Sequence, residues 1–230
     1  MKGTLGAQLD RIRISALIPA HLEPPDPALV AEVMAHVGDV LLVDDGMPAE
    51  GASELARLAA DAGVGLLRLP ANCGKGHAIA AGKRHLLGRA PAPQAVVVLD
   101  ADGQHPTSAI PAMLAAAAEA ELVIGDRLGD LGMPPLRRFT NRLTSRLLAL
   151  VTGHPVPDSQ CGMRLLRGRA LRDVEFPGGR YESETLHLKR CLRSGVRVVW
   201  VPIPALYAGQ PSSFRGVRDG TRVLGALLRA

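Results

Sequence analysis

Five short apolar runs, each ending in polar or charged residues, constrain the fold of this chain more than any other feature. They are residues 12–18, 40–43, 64–69, 95–99 and 122–124. Between them lie stretches with apolar residues at helical spacing, 26–36, 50–61, 76–87 and 107–118. This alternation predicts an α/β fold, a mostly parallel sheet with helices on both faces and right-handed crossovers. In such sheets ligands sit beyond the carboxyl ends of the strands, near the point where the strand order reverses. The strand ends are therefore where a site is expected.

The fourth run carries the sharpest signal, V-V-V-L-D-A-D-G-Q-H from Val96 to His105. On a regular strand, residues two apart share a face, so Asp100 and Asp102 are expected to turn together into the crevice, with Gln104 continuing the spacing. Hard oxygen donors of this kind suit Mg²⁺ or Mn²⁺, and Mg²⁺ completes its shell with phosphate oxygens and water. The first run ends I-P-A-H-L-E, where Pro19 is expected to end the ladder and Glu23 follows. The second ends V-D-D-G. Asp44 and Asp45 there fit either a loop that hydrogen-bonds a base or ribose, or a helix N-cap. The third ends N-C-G-K-G-H-A. Its Gly74, Lys75 and Gly76, just before a helix, suit an anion, although the loop is not a Walker loop. The fifth places Arg127 on the same edge.

After residue 125 the pattern changes. Residues 135–152 read as a helix with Phe139, Leu143, Leu147 and Leu150 on one face and Arg138, Arg142 and Arg146 on another. Strands are expected near 161–166 and 196–201, and a helix over 182–194. Residues 214–230 form a basic, amphipathic helix candidate. No linker separates the halves. The chain reads as a single domain over 1–230 with two functional halves, about 12–127 and about 128–230.

The net charge of +5 and pI of about 9.6 favour anionic partners. No aromatics interleave with the basic residues, which argues against nucleic acid. Cys73, Cys161 and Cys191 form no CxxC pair, so neither zinc nor a disulfide framework is expected. No apolar run approaches the roughly 20 residues that span a bilayer, and the N-terminus has no apolar leader core. These features predict a cytoplasmic chain, peripheral at the inner face of the membrane if it is membrane-bound at all.

Taken in order, I-P-A-H-L-E, V-D-D-G, N-C-G-K-G-H-A, L-D-A-D-G-Q-H-P, D-S-Q-C-G-M-R from Asp158, Y-E-S-E from Tyr181 and V-P-I from Val201 resemble the family 2 glycosyltransferases of the GT-A fold. The closest likeness is to the dolichyl/polyprenyl-phosphate sugar synthases. The resemblance implies an inverting, metal-dependent transfer of sugar from a UDP- or GDP-sugar. It implies that Pro19, Ala20, Glu23 and one of Asp44 or Asp45 hold base and ribose, with Lys75, Asp100, Ala101 and Asp102 also on the nucleotide. Asp100, Asp102 and Gln104 would hold Mg²⁺ or Mn²⁺. Arg127 and one of Arg137 or Arg138 would face phosphates. Two departures stand out: Met47 and Pro48 follow D-D-G where the family usually has Ser-Thr or Ser-x-Asp, and Cys73 replaces the usual Arg, Gly or Leu.

A lipid phosphate is anionic at pH 7 and attacks unaided, whereas a sugar hydroxyl needs a base. Asp158 and Glu182 or Glu184 are the candidates, with Glu184 the better motif match. Arg137, Arg138, Arg142 and Arg146, then Ser213 and Arg215, suggest a phosphate-bearing acceptor. The helix over 214–230 is expected on an anionic membrane surface, on its own domain or on a second subunit. Three rivals follow: a soluble hydroxyl acceptor, a silent nucleotide-binding module, and a sugar nucleotidyltransferase. The last would want a Gly-rich basic loop where I-P-A-H-L-E stands.

Overall fold

A computed structural model describes residues 13–127, 129, 133–179 and 182–206. One seven-stranded sheet runs through it, in the order β3-β2-β1-β4-β6-β5-β7. The strands are β1 (Ile14–Ala20), β2 (Asp39–Asp44), β3 (Gly65–Arg68), β4 (Ala95–Val98), β5 (Leu122–Asp126), β6 (Arg164–Arg167) and β7 (Val198–Pro202). All run parallel except β6, which is antiparallel to both β4 and β5. The helices are α1 (Pro27–Met34), α2 (Ala49–Ala62), α3 (Lys75–Leu87), α4 (Ile110–Ala116, entered by a 3₁₀ turn at Thr107–Ala109), α5 (Pro135–Thr152), α6 (Gly168–Arg172) and α7 (Glu182–Arg193). No described helix is long and apolar enough to cross a membrane.

The central strands are buried on both faces, as the continuous apolar runs require. Leu17, Ile18, Leu41, Leu42, Val96 and Val97 have no exposed surface. Asp26 caps α1 by accepting from the Ala28 N–H at 2.8 Å, with Pro27 supplying the preset first turn. The strand order reverses between β1 and β4, so the crevice predicted for a ligand opens there.

Several expectations are corrected. Pro19 does not end the ladder: β1 runs to Ala20, with Pro19 level with Val43. Parallel-strand alternation turns the Pro19 nitrogen toward β4, whose pairing with β1 has already stopped at Leu17 and Val98, so no hydrogen bond is lost. The cap of α2 is Pro48 and not an aspartate. The helix expected over 107–118 is a 3₁₀ turn followed by the short α4. Helix α6 and the reversed direction of β6 are new. Two strands from the second half, β6 and β7, complete the sheet begun by the first.

Helix α5 has the predicted length, but its apolar stripe faces outward: Phe139, Leu143 and Leu150 are exposed and Leu147 is half-buried. Its inward side is Asn141, Ser145 and Leu148. The tail over 214–230, with Ser213, Arg215 and Tyr181, lies outside the described residues.

Candidate active site

The carboxyl ends of β1, β2, β4 and β5 share one edge of the sheet. The two aspartates that close β2 both turn back into the protein. Asp44 accepts from the Met47 N–H at 2.8 Å and from Arg68 Nε at 2.9 Å. Asp45 accepts from the Cys73 and Gly74 N–H groups at 2.8 and 2.9 Å. All four of their carboxylate oxygens thus have protein donors, and both residues are buried. The anion-binding end of α3 is filled by Asp45, as a cluster of N–H groups at a helix N-terminus favours. Two residues on, the Gly76 N–H donates to the Gly179 carbonyl at 2.9 Å. The glycine-rich loop therefore does not present these amides to a ligand. Gly46 is required between β2 and this loop. Its φ is +67°, and a side chain there would strike the backbone of Ala71 and Asn72.

The β1 loop holds Pro19 and Ala20 at the strand end and Glu23 in solvent. His21, which sequence reasoning left without a role, pins it. Its Nδ1 lies 3.0 Å from the Asp45 carbonyl and its Nε2 lies 2.6 Å from Asn72 Nδ2. The neutral Nδ1–H tautomer satisfies both contacts. Three loops are thus tied together at the expected base-and-ribose edge.

Asp100 and Asp102 do not continue a strand. β4 stops at Val98, and a turn through Ala101 and Asp102 follows. The period-of-two argument fails for that reason, and the two carboxylates diverge. Asp100 turns inward, paired with the Lys75 ammonium and with His105 Nε2 at 3.1 Å. Asp102 is exposed, with one oxygen accepting from the Gln104 N–H at 3.0 Å. Ala101 and Gln104 are half-buried beside it.

Lys75, the first residue of α3, also reaches Glu184 Oε1 at 2.7 Å on the first turn of α7. One ammonium thus joins the ends of β4, α3 and α7. Desolvation opposes its charge, but the Asp100 and Glu184 carboxylates outweigh that and hold it above the ordinary lysine range. Desolvation likewise pushes Asp100 up, and Lys75 and His105 overcome it, leaving the carboxyl well below its usual range.

Gly162 closes over this cluster. A Cβ there would lie 2.7 Å from Asp100 Oδ2, 2.9 Å from Lys75 Nζ and 3.0 Å from His105 Nε2. Only a residue without a side chain lets residues 158–163 come so near.

Beyond β5, Arg127 pairs with Asp158, its Nε 3.0 Å from Oδ2. Asp158 is fully buried and also accepts from Asn141 Nδ2 and the Gln160 N–H, each at 2.9 Å. Burial raises its pKa, but Arg127 and these donors outweigh it and hold the carboxyl below the ordinary aspartate range. Arg137 and Arg138 stand half-buried at the start of α5, and Arg138 donates to the Met133 carbonyl at 3.0 Å.

Arg164, the last residue of D-S-Q-C-G-M-R, was missed as a functional residue. It is buried and donates to the carbonyls of Cys161, Glu184 and Ser159 at 3.0, 2.7 and 3.1 Å. It thereby fixes the Asp158 loop against the start of α7. An arginine amid an apolar run was the available signal. Burial pushes the Cys161 and Cys191 thiols up to about 12, which removes them as nucleophiles.

Donor chemistry decides whether a divalent cation suits this site. Mg²⁺ commonly takes one or two protein carboxylates and fills the rest of its shell with phosphate and water. Asp100 and Asp102 are hard donors on either side of one turn. No group of three or more His, Cys, Asp or Glu side chains gathers for a metal among the described residues. To share a cation, Asp100 would exchange its contact with Lys75 or His105 for the metal, and the set then fits a cation held jointly with a diphosphate, not one caged by protein alone.

Comparison with known proteins agrees with this architecture. The family model described as glycosyl transferase family 2 matches residues 15–175. An undecaprenyl-phosphate 4-deoxy-4-formamido-L-arabinose transferase from Enterobacter sp. is 32% identical over 67% of this chain and 49% of its own length. An undecaprenyl-phosphate mannosyltransferase from Micrococcus luteus is 32% identical over 72% of this chain and 70% of its own. The chain thus spans about half of the first relative and some two thirds of the second. Among solved structures, glucosyl-3-phosphoglycerate synthase from Mycobacterium tuberculosis, in complex with Mn²⁺, UDP and phosphoglyceric acid, superposes with a TM-score of 0.74. It is 18% identical, with 99% of this chain and 81% of that one covered. The sheet order, the crevice at its reversal and the matched stretch lead to one assignment: the chain belongs to glycosyl transferase family 2, with the GT-A fold.

Proposed function

We propose that this chain transfers a sugar, with inversion, from a nucleoside diphosphate donor to the phosphate of a polyprenyl lipid, with Mg²⁺ or Mn²⁺. The state of Asp158 and of Glu184, preferred over Glu182 on motif match, carries the choice of acceptor. Asp158 is saturated by Arg127, Asn141 and Gln160, and Glu184 is paired with Lys75. A hydroxyl acceptor needs an uncommitted base within reach, whereas a phosphate acceptor at pH 7 needs none. A soluble hydroxyl acceptor would require Glu184 to leave Lys75, or Glu182 to serve in its place. The names of the Enterobacter and Micrococcus relatives support the lipid-phosphate class.

On the donor side, Asp100 and Asp102, with Gln104 beside them, would hold the cation. When bound it would stabilise the negative charge that develops on the departing nucleotide. Lys75 and Arg127 add fixed positive charge along the same edge. Pro19, Ala20 and Glu23 line the expected base-and-ribose loop, and Asp44 and Asp45 shape it from behind. Arg127 with Arg137 or Arg138 would receive acceptor or donor phosphate. The reaction would take place at the cytoplasmic face of the membrane, with residues 1–230 acting as one domain.

A thermal-shift panel of UDP, GDP and their sugars, each with Mn²⁺ or EDTA, tests the donor side. One nucleotide class should raise Tm only with the metal. Asp102→Ala should lose that shift and about 10²–10³ in transfer to undecaprenyl phosphate, with the fold intact. Full transfer by this variant in the presence of metal would refute the assignment.

A further inference from the structure

One ammonium serves two carboxylates on different elements. Lys75 Nζ pairs with Asp100 Oδ1 at the end of β4 and lies 2.7 Å from Glu184 Oε1 on α7. Glu184 is the more sheltered partner, its side chain 6% exposed against 27% for Asp100. The second Asp100 oxygen faces His105 Nε2 at 3.1 Å. Any cation that reaches Asp100 therefore competes with one of these two groups. His105 has nowhere else to turn: it is buried, and its Nδ1 has no hydrogen-bond partner among the described residues. Lys75 has an alternative. Leaving Asp100 still leaves its charge paired with Glu184, on a long side chain with freedom to swing.

We propose, on the reading that Asp100 and Asp102 hold a cation jointly with a diphosphate, that Lys75 makes metal binding conditional on the donor. Its ammonium competes with the free divalent cation for Asp100 and gives way, onto Glu184, only to a cation that carries a diphosphate. Charge decides the difference. A bare divalent ion at Asp100 meets a like charge on the same carboxylate, in a partly desolvated cluster where repulsion is strong. A nucleoside diphosphate brings more negative charge than its cation brings positive. The complex is then attracted to the ammonium that repels the ion alone. Glu184 has a positioning role in this scheme: it is the second seat that keeps Lys75 charged and close when Asp100 turns to the metal. The cluster thus selects the loaded donor against the free ion, and Lys75 is the residue that sets the selection.

Mn²⁺ binding to the full chain tests this, read from the EPR signal of the free ion with no nucleotide, with UDP and with GDP. With whichever nucleotide it takes, the wild type should bind Mn²⁺ about tenfold or more tightly than without one. Lys75→Met should bind Mn²⁺ alone about tenfold or more tightly than the wild type and lose most of the gain from nucleotide. Glu184→Gln should move the other way and bind Mn²⁺ alone more weakly, because the ammonium then has only Asp100. General damage to the site would weaken both variants alike. If the facing carboxylates left by Lys75→Met unfold the chain, as circular dichroism would show, Lys75→Met combined with Glu184→Gln makes the comparison. That double variant should bind Mn²⁺ alone more tightly than Glu184→Gln does. Nucleotide-dependent Mn²⁺ binding by the wild type, with no gain for the free ion on removing Lys75, would overturn the proposal and leave the metal-dependent transferase reading standing. Equal Mn²⁺ affinity of the wild type with and without nucleotide would do the same. Failure of the wild type to bind Mn²⁺ under any of the three conditions would refute both.

Discussion

A methyl group on Gly162 would lie 2.7 Å from an Asp100 oxygen and 2.9 Å from the Lys75 ammonium, closer than packing allows. The Gly162→Ala chain must therefore push the cluster apart or lift residues 158–163 away. Overpacking of this size costs about 1–3 kcal/mol of stability, but if Asp100 and Lys75 act as proposed, displacing them by about 1 Å costs about 10²-fold in rate. Gly162→Ala is expected to melt only a few degrees lower while transfer falls by about two orders of magnitude, measured as kcat/KM beside a thermal melt. Unchanged transfer would place the chemistry away from Asp100. The glycine was legible in the sequence as part of D-S-Q-C-G-M-R, but its reason was not, because the atoms it must clear come from α3 and the β4 turn. The same holds for Asp44 and Asp45. Their identity suggested a ligand, yet their partners lie as far along the chain as Arg68, Cys73 and Gly74. No local pattern records that.

At the scale of elements, those with strong periodicity were legible to within a few residues, because side-chain burial sets both the period and the length. The helix over 135–152 is α5 as observed, yet its exposed apolar stripe could not be told from a core stripe by periodicity. The antiparallel insertion of β6 was not legible, since strand direction depends on the path between elements. What joins α5 to β5 is the Asp158 carboxylate, held by Arg127 and Asn141. Asp158→Asn keeps the shape and removes the charge. Breaking a buried pair costs about 3–5 kcal/mol, so a urea melt at pH 7 should show a loss of that order. The folded pKa of Asp158 lies below its unfolded value near 3.9. The pair's contribution is therefore complete above about pH 4 and is lost as pH falls further. Wild type and Asp158→Asn should converge in that acid range; a constant gap down to the lowest pH would contradict the assignment.

The whole molecule carries a second acid-sensitive group. His187 is fully buried in α7, stacked on Phe176 at 4.5 Å. Burial, with the nearby charges of Arg164 and Lys83, pushes its pKa well below the ordinary histidine value. The native chain keeps this ring neutral while the unfolded chain protonates it below about pH 6.5. Stability therefore rises with pH through that region, and its decline on acidification begins well above the aspartate range. In His187→Phe the early decline should disappear while the later one persists, as followed by the urea midpoint against pH. The same sheet also limits how this scaffold could be re-engineered. Asp45 already occupies the amides at the head of α3. Enriching the G-K-G loop in further glycines would not produce a phosphate-cradling nucleotidase from this chain. A resident carboxylate would repel the incoming anion, so any such redesign must begin by evicting Asp45 and finding another brace for the loop it now holds.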